Sequence, residues 1–245
     1  MTQFKDAAPP PPPPGSSGAG IPIAIIVVVA AVFLLPFLLA CGGLMIALLL
    51  PAVQSAREAA RQLQCTNNLK QVSFALKTYE QIHGSFPPAV ITDENGRPMH
   101  SWRVLILPYI EHQDLYDRYN MEEPWDGPNN SKLLAEMPLT FKCPSAGSHA
   151  PGETGIQVIT GEETMFRPGR STRAAEIEDG DSNTLMVLEA GGTPVKWLEP
   201  RDFDFSRLEQ GETPQSDHRN LILGTADGSV FRVDRNASPQ ILKDM

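Results

Sequence analysis

Polar and apolar residues are segregated along this chain. Residues 1–54 carry two charged side chains, Lys5 and Asp6, and residues 21–50 carry none, being dominated by Ile, Val, Leu, Ala and Phe. As a helix at ~1.5 Å per residue, a run of this length exceeds a hydrocarbon core of ~30 Å, so the pattern predicts a transmembrane helix over residues 21–50. Pro36 and the Gly42-Gly43 pair lie inside it and allow a bend. A removable signal peptide fits less well, because the run is too long and its basic leader is reduced to Lys5 beside Asp6.

From Pro51 the pattern changes. Ala52, Ala56, Ala59, Leu63, Thr66, Leu69, Val72, Leu76 and Tyr79 recur at spacings of three and four, an apolar stripe of helical period. Gly84 suits a C-terminal cap, and Pro87-Pro88 forbids continuation. A stem helix is therefore expected over residues 51–84, continuing the membrane helix with a kink allowed at Pro51.

Residues 85–245 read as an α+β head. "SWRVLILPYIEHQDLYDRYN" predicts one or two short helices broken at Pro108, with Trp102, Leu105, Tyr109, Ile110, Leu115 and Tyr116 as core candidates. "TGIQVIT" and "NTLMVLEAG" are short β-prone runs, and "NLILGTADGSVFRVD" sets Asp227-Gly228 between two strands, a strong hairpin signal. A two-residue turn there would place Gly224 opposite Phe231 and Ile222 opposite Val233. The expected fold is thus α+β, a long N-terminal helix packed on a small, mainly antiparallel sheet.

Composition narrows the function. The formal net charge of −9 falls entirely on residues 55–245, since Lys5 and Asp6 cancel, and an acidic head excludes a nucleic-acid surface. Residues 1–20 hold six consecutive prolines followed by Gly and Ser, a stiff extended spacer or a dock for a proline-binding partner. Three cysteines without a Cys-x-x-Cys pair exclude a zinc ribbon.

The segments "IALLLPAVQSAREAARQLQCTNNLKQ", "GSFPPA", "SWRVLILPYIE", "EPWD", "KCPS", "EDGDSNTLMVLEAG" and "TADGSV" together resemble the planctomycete family known as domain of unknown function 1559, over roughly residues 44–234. Members resemble type IV pilins and type II secretion pseudopilins at the N-terminus, and carry a C-terminal His, nine residues, then Asp-Gly. Two departures stand out. The Gly-Phe-Thr-Leu-Val-Glu prepilin signal is absent, which puts peptidase processing and filament assembly in doubt. His218 and Asp227-Gly228 match in type but are separated by eight residues.

Candidate chemistry is sparse. Cys65 and Cys143 are either a disulfide tying stem to head or two buried thiols; the resemblance favours the disulfide, because members carry cysteines at both motifs. Asp179, Asp181 and Asn183 place oxygen ligands at alternate positions, as calcium loops do, but lack the glycine and distal Glu of an EF-hand and read first as a turn. Leu38-Leu39-Ala40-Cys41 satisfies a lipidation motif only loosely, and an unmodified Cys41 in a spanning helix is the favoured reading. The five histidines form no metal-binding spacing, and no catalytic motif or cofactor fingerprint appears, so no enzyme and no cofactor is expected.

The expected protein is a single-span inner-membrane component with its N-terminus cytoplasmic and a pilin-like head in the periplasm or at the cell surface. Its expected partners are membrane lipid and other pilin-like subunits, itself included, met through the stem face of Ala52, Ala56 and Ala59. Arg57 and Arg61 against Lys5 weigh slightly for the opposite orientation, but a long head is translocated largely regardless of charge. A membrane-tethered module binding a glycan or calcium is the alternative, and a hydrolase comes third.

Overall fold

A computed structural model describes residues 22–146, 149–216, 218, 220–234, 236, 238, 240 and 242. The proline-rich tail of residues 1–20 and the side chain of Cys41 lie outside the described residues. By internal contacts the chain divides into Met1–Gln54 and Ser55–Met245.

One helix, α1 (Ile23–His83), carries both the apolar run and the stripe that follows, with Pro36 and Pro51 inside it. Its first part is exposed, with a mean hydropathy of 3.2 over the most apolar window, and is long and apolar enough to cross a membrane. The helix stops at Gly84, whose φ of 77° suits a left-handed cap and whose N–H donates to Glu80 O.

Within Ser55–Met245 the fold is α+β. The short strands β1 (Val90–Thr92) and β2 (Pro98–Ser101) form an antiparallel hairpin. Helix α2 (Trp102–Leu105) begins at Ser101, whose side chain caps it by accepting from Arg103 N. Pro108 then forces a separate 3-10 turn, Leu107–Ile110, before α3 (Gln113–Arg118). Trp102, Ile110 and Leu115 are buried as the sequence suggests, whereas Leu105, Tyr109 and Tyr116 are only half-buried and Val104, Ile106 and Leu107 take the interior places.

The remaining strands are β3 (Glu153–Thr154), β4 (Ile156–Thr160), β5 (Leu185–Glu189), β6 (Val195–Lys196) and β7 (Phe203–Asp204), then β8 (Asn220–Thr225) and β9 (Val230–Asp234). Helix α4 (Phe205–Glu209) lies between β7 and β8 in the chain. β3 pairs with β6, and the main sheet runs β7-β4-β5-β8-β9, antiparallel except for the β4–β7 pair. Its central strands are apolar on both faces. Val158, Val187 and Ile222 join Leu69, Val72 and Leu76 of α1, while Ile159, Leu188, Leu221 and Leu223 meet Leu208 of α4.

Two expectations change. The stripe on α1 divides at Cys65: Ala52, Ala56, Ala59 and Leu63 are exposed, and burial begins where the helix reaches the sheet. The hairpin register is shifted by one residue, with Gly224 opposite Val230, Leu223 opposite Phe231 and Leu221 opposite Val233. A two-residue turn would need positive φ at both Asp227 and Gly228, yet only Gly228 has it, at 90°. Thr225 N instead donates to Ser229 O, closing a three-residue loop with the glycine at its left-handed position. The shift turns Phe231 onto the α4 side and leaves Gly224 facing α1.

Candidate functional site around the Cys65–Cys143 disulfide

Cys65 lies on the first buried turn of α1, and Cys143 follows the 3-10 turn Leu139–Phe141; the two are joined in a disulfide. The loop is docked from the helix side by Asn68, whose Nδ2 donates to Leu139 O and to Lys142 O. His218 sits against the same bond. Its Nε2 is 3.1 Å from Cys143 Sγ and its Nδ1 is 3.2 Å from Glu58 Oε1, and the imidazole is almost wholly buried.

The carboxylate fixes the tautomer. An ionised carboxylate only accepts, so Nδ1 carries a proton, and in the neutral imidazole the Nε2 lone pair then faces the sulfur. Glu58 is itself held by Ser145 Oγ at 3.1 Å and Arg61 Nη1 at 2.9 Å. Partial burial works against its charge, but the hydrogen bonds from Ser145, His218 and Arg61 keep the Glu58 carboxyl below the ordinary carboxylate value. On the other side, Ser216 Oγ accepts from His218 N and donates to Glu189 Oε2, which orients the segment entering β8.

The two halves of the C-terminal motif do not meet. His218 precedes β8 and Asp227-Gly228 follows it, so they stand at opposite ends of a strand of about 20 Å. Both ends are tied to α1. The far end is held by Lys77, whose Nζ lies 3.2 Å from Ala226 O and 3.2 Å from Asp181 Oδ2. Cys65 and Lys77 are about 18 Å apart along the helix, nearly the strand's length. The separation of His from Asp-Gly therefore measures one strand clamped along one helix. Asp227 makes the turn rather than a ligand site: its carboxylate accepts from Ser229 N, Thr225 Oγ1 and Ser229 Oγ.

Asp179, Asp181 and Asn183 also form a turn. Asn183 Nδ2 donates to Asp179 O, Asn183 N to Gly180 O, and Asp181 is paired with the Lys77 cation, a neighbour of the wrong sign for calcium. Of the other histidines, His83 stacks on Tyr79 and bonds Tyr109 OH, and His149 Nε2 lies 2.6 Å from Gly191 O. His100 is buried between Tyr119 OH and Met121 O, and burial holds its imidazole below the ordinary value despite the carbonyl.

A second buried polar cluster is structural. Arg103 Nη2 lies 2.7 Å from Asp202 Oδ1, both side chains being fully buried; Trp102 Nε1 and Val158 N also donate to the carboxylate, and Arg103 donates to Ile156 O. Burial dominates both ionisable groups, lifting the Asp202 carboxyl and lowering the Arg103 guanidinium, against their mutual attraction. The guanidinium protons all find acceptors, on Ser101, Ile156, Glu199 and Asp202, and both carboxylate oxygens accept from Trp102. Neither this cluster nor the pairing of Glu58 and Ser145 with His218 leaves a local sequence signal, since each joins residues scores of positions apart.

The family model described as "Protein of unknown function (DUF1559)" matches residues 54–164. Over that segment the chain is similar to the DUF1559 family. The DUF1559 match takes in Glu58, Cys65, Arg103, Cys143 and Ser145, and ends before Asp202, His218 and Asp227, short of the span that the sequence motifs cover. No curated protein and no solved structure matches the chain.

Proposed function

We propose that this protein is a single-span membrane component that holds its head in an oxidising compartment, the periplasm or the cell surface, and acts by pilin-like assembly or interaction. The observation that carries this reading is the double use of α1. One continuous helix is apolar and exposed in its first part and supplies the core of the head in its last, and a disulfide locks the head onto it at Cys65. Disulfides persist in extracytoplasmic compartments, which favours a cytoplasmic N-terminus. The exposed apolar residues between the span and the head, Val53, Ala56, Ala59 and Leu63, are the surface through which neighbouring subunits would pack.

Thiol labelling of spheroplasts with a membrane-impermeant maleimide tests the topology. Cys65 and Cys143 should react only once reductant is added from outside; labelling that needs rupture of the inner membrane, with no reductant, overturns the orientation. Assembly is tested by Ala56→Cys and Ala59→Cys in intact membranes. A ladder of oxidised oligomers is expected, and a strictly monomeric pattern at native expression overturns the assembly reading.

A further inference from the structure

The buried Nε2 of His218 has an unusual neighbour. With Nδ1 donating to Glu58, the neutral imidazole offers Nε2 as an acceptor, yet among the described residues the group within hydrogen-bonding distance is a disulfide sulfur, which has no proton to give. The imidazole is 1% exposed, so water does not readily serve in its place. A buried lone pair left in this way costs free energy comparable to a lost hydrogen bond, a cost that a Lewis-acidic ligand would remove.

The geometry indicates what that occupant is. Cys65 Sγ, Cys143 Sγ and the nearer ring nitrogen of His218 all lie within 4.8 Å of one another. A tetrahedral zinc ion with Zn–S of about 2.3 Å and Zn–N of about 2.0 Å sets its ligands roughly 3.5–3.8 Å apart. The 3.1 Å separation of Nε2 from Cys143 Sγ is within about half an ångström of that spacing. The sulfur–sulfur bond is too short for two separate ligands, and breaking it lets the sulfurs part. Behind the histidine, Glu58 accepts from Nδ1 and is oriented by Ser145 and Arg61, the carboxylate–histidine arrangement that raises the basicity of a metal-bound imidazole.

We propose that Cys65, Cys143 and His218 form one site with two states: a histidine-capped disulfide when oxidised, and a Cys2His site for a thiophilic divalent ion of the zinc class when reduced. The conversion consumes one dithiol: its two sulfurs take the place of Cys65–Cys143 as the disulfide, and its two protons and two electrons leave Cys65 and Cys143 as thiols. Binding M²⁺ then releases both thiol protons to solvent as the thiolates coordinate. His218 binds through Nε2 without losing a proton, and Glu58 remains behind it as its positioning residue.

The test uses the full-length protein in detergent on a Cys41→Ser background, reduced with dithiothreitol and freed of it under argon. Zn²⁺ is titrated in competition with a chromophoric chelator, and Co²⁺ is used to read thiolate-to-metal charge transfer. The expected result is one equivalent bound by the reduced protein, none by the oxidised, and a thermal midpoint of the reduced head that rises with Zn²⁺. His218→Ala should weaken Zn²⁺ binding by at least about tenfold and Glu58→Gln by about 10–100-fold, with both variants still forming the disulfide. Reduced protein that binds no Zn²⁺, or that unfolds and is not refolded by it, overturns the proposal. So does His218→Ala binding Zn²⁺ as tightly as the parent, which would reduce the site to two thiols.

Discussion

Gly224 decides how closely α1 can lie on the sheet. A Cβ at that position would stand 2.6 Å from Ser73 Oγ and 2.9 Å from Val187 Cγ1. Gly224→Ala therefore forces helix and strand apart, and overpacking of this kind costs about 1–3 kcal/mol. Ser73 Oγ has no hydrogen-bond partner among the described residues, although it is buried, so Ser73→Ala should be neutral or stabilising on its own. The double variant should recover much of the loss, because the nearest clashing atom has gone; urea midpoints of the four proteins measure the coupling. The sequence points to Gly224 as a close-packing position but assigns it the wrong neighbour, Phe231. Asp-Gly is compatible with two loop lengths, and the choice between them moves every side chain of β9 to the opposite face.

At the scale of elements, the β8–β9 hairpin and the disulfide hold the sheet to the helix at separate points. The Asp227 carboxyl is held below its ordinary value of 3.8, first by the Ser229 amide and then by Thr225, against some burial. Its contribution to stability is thus complete above that ordinary value and is lost as pH falls through the lowered one. Glu58, lowered from 4.5, has the same sign. The unfolding midpoint should therefore decline as pH drops below about 4.5, and Asp227→Asn should be less stable at neutral pH and show a shallower decline. The disulfide closes a separation of 78 residues, and its loss in a Cys65→Ala, Cys143→Ala variant should cost about 4 kcal/mol on the chain-entropy account, read from the denaturant midpoint. Elements of this size were largely legible in the sequence, because the apolar period of α1, the stop at Gly84, the break at Pro108 and the short β-prone runs are local signals. Glu58 and Ser145 were not, since the chain reveals their role only once Cys65, Cys143 and His218 have been brought together.

For the whole molecule the question is which part of α1 belongs to the head. The sequence stripe begins at Ala52, but the buried positions begin at Cys65 and continue through Thr66, Asn68, Leu69, Val72, Ser73, Ala75 and Leu76. The chain's internal contacts divide it between Gln54 and Ser55, well before that burial starts. A fragment starting at Ser55 therefore retains Glu58, the disulfide and every helix residue in the core, while shedding the apolar run that calls for detergent. It should be soluble and keep its stability within about 1 kcal/mol of the full-length head, since every buried helix residue lies within the fragment. A fragment starting at Lys70 should behave differently, because it loses Cys65 with the disulfide, Leu69 from the core and the two Asn68 hydrogen bonds that dock the loop before Cys143. Losing one fully buried leucine, a long-range disulfide and two hydrogen bonds costs about 7–12 kcal/mol combined, comparable to the whole 5–15 kcal/mol stability of a typical domain. The shorter fragment should accordingly be unfolded or aggregate, and a cooperative thermal transition from it would show that the helix before Lys70 is dispensable to the head.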